Sequence, residues 1–362
     1  MKYALIGCGR ISPNHVAAAI KNGLEIEALC DVIPEHIDEV LGKFENEITA
    51  GKEIRKYTDY KEMIACEKID LVGIATESGL HAQIALDCIE KGIHCIIEKP
   101  IAMSMKDAQA ICDAAQKNDV VVCANHQNRF NKSIIKIREA MEAGKFGRLL
   151  HGTAHIRWNR NQGYYTQAPW RGTWAQDGGC LMNQCIHNVD LLRWMMGDEI
   201  EEVMAYTDNL NHDFIEAEDL GMALIKFKNG SYGMLEGTTN VYPKNLEETL
   251  YIFGEKGTVK AGGKSVNIIE EWDFENDVED ASVVKEENSE QPDSVYGFGH
   301  NPLYTDVIHA IETHTKPLVD AEAGKRALEL VLAIYKSAAE GKPVKLPLTD
   351  VASVDFTGRF GK

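Results

Sequence analysis

The residue pair best suited to chemistry in this 362-residue chain is Asn183 and His187, which follow the glycine pair Gly178-Gly179. Side chains four positions apart on a helix share a face, and Asp190 lies near that face. Histidine can gain or lose a proton near neutral pH, and asparagine can hold a hydroxyl group without changing its charge. The spacing therefore favours the handling of a sugar alcohol. A buried histidine that is merely hydrogen-bonded is the alternative interpretation.

A second candidate for proton transfer is Lys99, which follows the apolar run Ile96-Ile97 and stands between Glu98 and Pro100. A lysine beside a carboxylate can donate or accept a proton if its pKa is lowered. A surface ion pair is the alternative. The proline, which makes the backbone rigid, and the position at the end of a predicted strand both favour the chemical role.

A glycine turn, Gly7-Cys-Gly9-Arg10-Ile11-Ser12, lies between the first predicted strand and the first predicted helix. Such a turn lets a pyrophosphate approach the backbone, and the helix N-terminus offers free N–H groups. Asp31 ends the second predicted strand about 20 residues further on, where a carboxylate binds the ribose 2′-hydroxyl and repels a 2′-phosphate. The motif therefore predicts NAD rather than NADP. Thr76 and His81 follow the predicted strand at 70–75 and are also candidates for cofactor contact.

The elements that must position these residues fall into two groups. Over residues 1–125, short apolar runs alternate with helical segments, which predicts βαβ units and a parallel sheet. Over residues 126–362, long alternating strands predict a mostly antiparallel sheet with an Asn229-Gly230 hairpin turn. The acidic stretch 270–294 is predicted to be a surface loop. The strands are predicted at 3–6, 26–30, 70–75, 94–97, 120–124, 150–158, 202–208, 221–228, 231–239 and 247–253, and the helices include 13–22, 131–143, 302–313 and 321–340.

Composition limits the possible partners and the compartment. The formal net charge of −18 argues against nucleic acid and anionic membranes as partners. No apolar run approaches the ~20 residues that span a bilayer. The nine scattered cysteines predict reduced thiols in a cytoplasmic protein. A zinc site at Cys180, Cys185 and His187 lacks an evident fourth ligand, so no metal is predicted.

Taken together, the Gly7-x-Gly9 turn, Glu98-Lys99-Pro100 and the glycine-opened segment carrying His187 resemble the glucose–fructose oxidoreductase / inositol dehydrogenase / rhizopine catabolism (Gfo/Idh/MocA) family. The resemblance covers nearly the whole chain. It implies an α/β Rossmann domain that binds NAD, followed by an α+β domain for substrate binding and oligomerisation with an open, mostly antiparallel sheet. It also implies hydride transfer between a nicotinamide and a sugar or cyclitol, with Lys99 and His187 as the catalytic residues. The expected cofactor contacts are Gly7, Gly9, Arg10, Ile11, Asp31, Thr76, His81, Glu98, Lys99 and Gln127.

One departure from the family pattern concerns Asn183, where many members have an aspartate that forms a dyad with the histidine. Asparagine cannot take the proton or raise the histidine pKa by charge. Three stretches look like the UDP-N-acetylglucosaminuronic acid 3-dehydrogenase branch: Gln127-Asn-Arg129-Phe-Asn131, the arginine- and aromatic-rich segment 157–174, and Leu181-Met-Asn-Gln184. Such a substrate carries a diphosphate and a carboxylate, which arginines could bind. The expected substrate contacts are Lys99, Arg157, Arg160, Tyr164, Tyr165, Arg171, Asn183 and His187, with Trp158, Trp170 and Trp174 lining a sugar pocket.

Three alternatives remain open at this point. The segment 157–174 could be a structural or oligomer-contact loop, because arginines and aromatic residues are also enriched at interfaces. The substrate could instead be inositol, a simple hexose or a nucleotide deoxysugar. The chain could also be an NAD-bound regulator without activity, because function does not follow from fold. A broad antiparallel sheet with one uncovered face predicts a homo-dimer or homo-tetramer rather than a monomer.

Overall fold

The structure is a computed structural model that describes residues 1–48, 54–276, 278–292 and 295–361. Its contacts divide the chain into two compact units. The first unit comprises Met1–His126 and His300–Lys325, and the second comprises Gln127–Gly299 and Arg326–Lys362. The sequence analysis assigns residues 300–325 to the second domain, whereas their contacts lie with the first unit. Among the described residues, no helix has the length and apolar character needed to cross a membrane.

The first unit is built on a parallel sheet, as the alternation of strands and helices predicts. Its described strands follow the order β3-β2-β1-β4-β5-β6, and each pairs in parallel with its neighbours. The strands are β1 (Lys2–Ile6), β2 (Glu25–Cys30), β3 (Arg55–Tyr57), β4 (Leu71–Ile74), β5 (His94–Ile97) and β6 (Val122–Ala124).

Helices connect these strands, and local sequence signals mark where several of them begin. Prolines stand in the first turns of α1 and α2, where no intrahelical N–H is required. The Asp59 and Ser104 side chains cap α4 and α6 by accepting backbone N–H groups. The helices are α1 (Ser12–Lys21), α2 (Pro34–Lys43), α3 (Glu45–Ile48), α4 (Tyr60–Cys66), α5 (His81–Glu90) and α6 (Met105–Asn118).

The second unit contains a larger sheet, whose described strands follow the order β13-β12-β11-β7-β10-β9-β8-β14. Among them, β7 and β10 pair in parallel, and the other neighbours are antiparallel. The predicted fold class is therefore confirmed. The strands are β7 (Leu149–Arg157), β8 (Ile200–Asp208), β9 (Leu220–Phe227), β10 (Tyr232–Thr238), β11 (Glu247–Gly254), β12 (Gly257–Gly262), β13 (Ile268–Phe274) and β14 (Val344–Lys345).

The helices that follow α6 in the chain are α7 (Lys132–Glu142), α8 (Gln162–Tyr165), α9 (Cys180–Asn183), α10 (Ile186–Met196), α11 (Ala281–Glu287), α12 (His300–Thr313) and α13 (Ala321–Glu340). One face of the large sheet is buried. The other exposes a contiguous set of apolar side chains on neighbouring strands, with between 39% and 73% of their surface accessible: Tyr206, Met222, Leu224, Tyr232 and Met234. The Asn229-Gly230 turn joins β9 to β10 as predicted, and Gly230 has the positive φ of +87° that such a turn favours.

The prediction of a surface loop over residues 270–294 is wrong where the structure describes it. This stretch contains most of β13 and all of α11, and Ser294 lies outside the described residues. In β13, Ile269 and Trp272 are buried while the acidic residues around them face solvent. In α11, only Val284 is buried. Each of these short elements buries only one or two apolar side chains. The hydrophobic pattern among the many acidic residues was therefore too weak to predict a strand or a helix.

Candidate active site

The glycine turn after β1 is closely packed at Gly7 and open at Gly9. Gly7 has a φ of +91°, and a Cβ there would lie 2.5 Å from the backbone of Ala75. A Cβ on Gly9, in contrast, would meet nothing within 4 Å. Gly9 and Arg10 are exposed, and Ile11 precedes α1 without a side-chain hydrogen bond to its N-terminus. The turn therefore leaves open space beside Gly9 at the start of α1, where the positive end of the helix dipole favours an anion.

The Asp31 carboxylate lies beside this turn. Its Oδ2 accepts a hydrogen bond from the Cys8 N–H at 2.7 Å, and its Oδ1 accepts one from the Ile33 N–H at 2.9 Å. The half-buried side chain is thereby held at the carboxyl end of β2. This is the position at which a carboxylate recognises a ribose hydroxyl in a dinucleotide-binding fold.

His81 connects two loops at the same end of the sheet. Its Nδ1 lies 2.7 Å from the Pro100 carbonyl oxygen, and its Nε2 lies 3.1 Å from the Thr76 carbonyl oxygen. The ring is buried, and burial lowers its pKa although both carbonyl contacts act in the opposite direction. Because both ring nitrogens face backbone carbonyls, the structure gives His81 a positioning role for Thr76 and for the Lys99-Pro100 segment.

The Glu98 carboxylate is held by a buried network. Its Oε1 accepts a hydrogen bond from His15 Nε2 at 2.9 Å and another from Asn125 Nδ2, while its Oε2 accepts the Lys99 N–H at 3.3 Å. The His15 Nδ1 in turn contacts the Tyr304 hydroxyl at 2.7 Å. Burial alone would raise the pKa of Glu98, but hydrogen bonds from His15 and His300 hold it well below its usual range. The residue before Lys99 is therefore a buried carboxylate anion.

Sequence reasoning missed the residues around Glu98. Asn125 follows β6 as Asp31 follows β2, so its place at the carboxyl end of a strand was a usable signal. His15 and His300 gave no such signal, because the contact between their segments is non-local. His15, Glu98 and His300 together offer a donor set that metals use. Glu98 Oε1, however, already accepts two hydrogen bonds, from His15 and Asn125. We therefore describe these residues as a hydrogen-bonded cluster and not as a metal site.

The predicted single helix through Asn183 and His187 is not observed. The helix α9 ends at Asn183, and α10 begins at Ile186. At the break, the Cys185 N–H bonds the Cys180 carbonyl at 3.1 Å, which is one residue further back than a regular α-helix allows. The half-buried His187 thus lies in the first turn of α10, whereas Asn183 is the last residue of α9.

Asn183 contacts a carboxylate that the sequence analysis did not consider. Its Nδ2 donates to Asp177 Oδ1, and its Oδ1 accepts from Gln184 Nε2 at 2.6 Å. Asp177 is buried, and its Oδ2 accepts the Gly172 N–H at 2.6 Å. An aspartate at position 183 would face this carboxylate directly. The amide at 183 is therefore the residue type that suits its neighbour.

Asp190 is bound by an arginine from another element. Both of its oxygens accept from Arg129, at 2.7 Å from Nε and 2.6 Å from Nη2, and both side chains are buried. The Arg129 guanidinium also lies over the Trp194 ring, with 4.5 Å between Cζ and the ring centroid. Asp190 thus ties α10 to the 3₁₀ helix Gln127–Phe130, in which the predicted cofactor contact Gln127 is also buried.

Of the three predicted arginines, Arg157 is neutralised within the second unit. Its Nε donates to Glu236 Oε1 at 2.8 Å, and its Nη1 donates to Glu247 Oε1 at 2.5 Å. The hydrogen bond to Glu236 is the largest cause that raises the pKa of the guanidinium. The Arg157 guanidinium, which was predicted to bind an anionic substrate, is therefore already paired with two carboxylates of the protein.

Arg160 and Arg171, in contrast, form no ion pair with any carboxylate that the structure describes. Both lie around Tyr164, with 5.1 Å and 4.5 Å between each Cζ and the Tyr164 ring centroid. Arg171 Nη1 donates to the Tyr164 hydroxyl at 2.7 Å, and Gln184 Nε2 donates to the same oxygen at 2.9 Å. The Nε atoms of both arginines are buried and have no hydrogen-bond partner among the described residues. We call Arg160, Arg171, Tyr164 and Gln184 the arginine cluster.

The remaining aromatic residues of the segment differ in their surroundings. Trp170 lies under Arg171 at 4.5 Å, whereas Tyr165 is buried against His212 and Phe214. Trp174 has 1% of its surface exposed and packs against Tyr335 with 5.2 Å between ring centroids. Tyr165 and Trp174 therefore support the fold of the segment and do not present their rings to a ligand.

The nucleotide end of the first unit fits NAD. The space beside Gly9 and the uncapped start of α1, which has no acidic residue in its first turn, suit a pyrophosphate. The Asp31 carboxylate suits a ribose hydroxyl and disfavours a 2′-phosphate. The Cys8 N–H holds the Asp31 carboxylate beside the turn, so the two features lie together at the carboxyl ends of β1 and β2.

Comparison with known proteins agrees with this geometry. Residues 1–126 match a family model described as an oxidoreductase family with an NAD-binding Rossmann fold, and residues 134–260 match the GFO/IDH/MocA C-terminal domain. The chain is 37% identical to the WlbA dehydrogenase from Bordetella pertussis, solved with NADH and UDP-GlcNAcA, over 96% of this chain and 98% of that chain, with a TM-score of 0.87. It is 36% identical to the WlbA dehydrogenase from Chromobacterium violaceum, solved with the same ligands, over 96% of both chains, with a TM-score of 0.87.

A curated relative, the myo-inositol 2-dehydrogenase of Thermotoga maritima, is 26% identical over 96% of this chain and 98% of its own length. The fold, the nucleotide end and these matches define an NAD-dependent oxidoreductase. The chain belongs to the Gfo/Idh/MocA oxidoreductase family.

Proposed function

We propose that this enzyme oxidises the C3 hydroxyl of a UDP-linked N-acetylamino uronic acid to the 3-keto sugar, in the biosynthesis of bacterial surface polysaccharides. The observation that carries the proposal is the arginine cluster. In a chain of net charge −18, two neighbouring guanidinium groups without carboxylate partners among the described residues are suited to an anionic ligand. The similarity to two WlbA dehydrogenases solved with UDP-GlcNAcA supports the same substrate class.

The reaction removes two hydrogens from one carbinol. NAD held by the Gly7–Ser12 turn and Asp31 would supply the acceptor for the C3 hydride. Lys99 or His187 would take the hydroxyl proton as general base, which leaves the ketone. Glu98 fixes the backbone at Lys99 through its 3.3 Å hydrogen bond, so that the lysine stem starts from a defined position. Asn183, itself oriented by Asp177 and Gln184, positions the sugar by hydrogen bonding.

The diphosphate and the carboxylate of the substrate are the anions we assign to Arg160 and Arg171. Tyr164 orients both groups by lying under them, and its hydroxyl fixes Arg171. Arg157 is not assigned an anion, because Glu236 and Glu247 already neutralise it.

A second candidate function is the oxidation of a neutral cyclitol such as myo-inositol. The Thermotoga maritima relative favours it, because that similarity extends over nearly the whole of both chains. A neutral substrate, however, gives no role to the two guanidinium groups of the arginine cluster.

The test is to incubate the protein with NAD and a panel of UDP-sugars, UDP-sugar acids and cyclitols while following the absorbance of reduced nicotinamide. A second series contains 2-oxoglutarate, so that a cofactor that stays bound can be recycled. Lys99→Met should abolish turnover while leaving NAD binding intact. Arg160→Gln and Arg171→Gln should each raise the KM for the UDP-sugar acid about tenfold or more, since hydrogen bonds to charged groups contribute about 1.5–3 kcal/mol.

The matched control is Arg148→Gln, which removes an exposed arginine paired with Glu255. Equal KM values in the Arg148, Arg160 and Arg171 variants would refute the assignment of the anion. Rapid oxidation of a neutral cyclitol, with no response to any UDP-sugar acid, would establish the second candidate.

We also infer that the enzyme assembles with copies of itself through the exposed apolar face of the large sheet. The five apolar residues lie on the adjacent strands β8, β9 and β10, so they form one patch rather than scattered positions. A second copy can cover this patch across a two-fold axis with the same residues on both sides.

A further inference from the structure

The second unit contains a cavity of about 490 Å³ at the end of the sheet formed by β11, β12 and β13. This volume lies in the range that small-molecule sites occupy. Its lining includes Trp158 together with Asn245, Glu248, Thr249 and Asn267. Apart from Trp158, none of these residues was predicted from the sequence to bind a ligand.

The acidic groups in the lining carry little unbalanced charge. Glu247 is paired with Arg157 at 2.5 Å, and Glu270 is paired with Lys260 at 2.5 Å. Glu248 is buried, accepts a hydrogen bond from Asn128 Nδ2 at 3.2 Å, and has a pKa that burial raises to about 8. The cavity is therefore lined by hydrogen-bonding groups of low net charge.

These groups discriminate between the parts of a sugar nucleotide. The cations that face these carboxyl groups, Arg157 and Lys260, are already paired with Glu247 and Glu270, so the lining offers a uronate carboxylate little charge compensation. Lys264, an exposed residue of the lining, donates to the Pro292 carbonyl at 3.1 Å. A neutral ring system with several hydrogen-bonding edges suits the lining better than an anion does.

Arg160 connects this cavity to the arginine cluster. Its Cζ lies 4.7 Å from the Trp158 ring centroid, and its Nη1 donates to Asn245 Oδ1 at 3.1 Å. Trp158 and Asn245 both line the cavity. One ligand can therefore place its anionic part at Arg160 and a covalently attached neutral group in the cavity.

We propose that this cavity is the nucleoside subsite, and that it holds the base and ribose of a nucleoside diphosphate whose phosphates lie at Arg160. The proposal rests on the proposed function, since it locates one part of the same substrate. It assigns ligand contacts to Asn245, Glu248 and Thr249, which lie just before and within β11.

The first experiment measures the affinity of the NAD-loaded full chain for UDP and for inorganic pyrophosphate by calorimetry. Ile268→Trp enlarges a half-exposed side chain of the lining, and Ile135→Trp makes the same change on α7 as a matched control. We expect Ile268→Trp to weaken UDP binding at least about tenfold, while pyrophosphate binding stays within about twofold of wild type. Equal UDP affinities in the two variants would overturn the proposal.

The second experiment does not depend on a variant that folds. The wild-type protein is illuminated with 5-azidouridine diphosphate, and the labelled peptides are identified by mass spectrometry. Labelling in residues 245–249 or 263–268 is expected, and labelling confined to other peptides would contradict the subsite. If UDP labels these peptides but no UDP-sugar is oxidised, the proposed reaction fails and the subsite stands. If UDP-sugar acids are oxidised with an unchanged KM in Ile268→Trp, the subsite fails and the reaction stands.

Discussion

Glu218 is a buried carboxyl group beneath the glycine pair that precedes α9, and its titration should control the stability of the second unit. Its Oε1 accepts hydrogen bonds from the Leu181 N–H and the Tyr335 hydroxyl, each at 2.8 Å. Its Oε2 has no hydrogen-bond partner among the described residues, and a Cβ at Gly179 would lie 1.6 Å from it. Burial raises the pKa of Glu218 to about 8 against the opposing effect of these hydrogen bonds.

The direction of the pH dependence follows from this shift. Below the ordinary value of 4.5, the carboxyl group is protonated in both the folded and the unfolded chain. Between 4.5 and about 8, the unfolded chain loses the proton while the folded chain keeps it, so the free energy of unfolding falls as the pH rises. One such group costs up to about 1.4 kcal/mol per pH unit, which amounts to roughly 2 kcal/mol between pH 6 and pH 8.

Glu218→Gln should remove this contribution, because the amide keeps the shape of the carboxyl group and does not titrate. Glu248, whose pKa burial also raises to about 8, contributes in the same direction, so the variant should lose about half of the wild-type pH dependence. All five tryptophans lie in residues 158–272, within the second unit. Urea unfolding followed by tryptophan fluorescence at several pH values therefore measures the relevant free energy.

The control is Glu286→Gln, which changes an exposed glutamate in α11 of the second unit and should leave the pH dependence as it is in wild type. If Glu218→Gln and wild type lose the same free energy of unfolding between pH 6 and pH 8, Glu218 is not protonated in the folded protein. The argument from its burial would then be wrong.

Three other predictions concern the cofactor, the substrate and assembly. Asn183→Asp should lower kcat at neutral and higher pH, because the new carboxylate would face Asp177, and a pH series of kcat with the UDP-sugar acid would show whether it does. Asp31→Asn should raise the KM for NAD about tenfold and narrow the preference over NADP, which the ratio of the two kcat/KM values measures. Leu224→Glu should shift the protein to a smaller species in sedimentation velocity, whereas Val354→Glu, at an exposed position outside the sheet, should not. An unchanged species in the Leu224 variant, or an unchanged nucleotide preference in the Asp31 variant, would contradict the corresponding inference.

The parts of the fold that were predictable from the sequence depend on local patterns. The glycine turn at Gly7, the prolines that open two helices and the Asn229-Gly230 hairpin all act over a few residues. The confirmed fold class follows from such signals, because strand and helix alternation is itself local. The bounds of the strands that were predicted differ from the observed bounds by at most two residues, because local signals are weakest at the ends of elements.

The candidate site was harder to predict because its residues depend on partners far away in the chain. Arg157 has the same residue type and neighbourhood as Arg160, but Glu236 and Glu247 reach it from other strands. The Glu98 network likewise needs His15, Asn125 and His300, which no short motif connects. The break between α9 and α10 was not predicted from the helical spacing of side chains. The backbone at Gln184 and Cys185 keeps dihedral angles close to helical values, so the break changes that spacing little.

The discontinuous first unit has a consequence for the order in which the protein is made. A ribosome completes the six described strands of the first sheet by residue 124. His300 and Tyr304, which contact the cluster around Glu98, are synthesised only after seven of the eight described strands of the large sheet. Until then, buried polar groups such as His15 and Tyr3 lack the Tyr304 hydroxyl that they share in the finished protein. The hydrogen bonds of these buried groups in the nucleotide-binding unit can therefore form only after the second unit has been synthesised up to residue 299. For the same reason, we expect a fragment that ends near residue 126 to be less stable than the native first unit, because its buried polar groups lack hydrogen-bond partners.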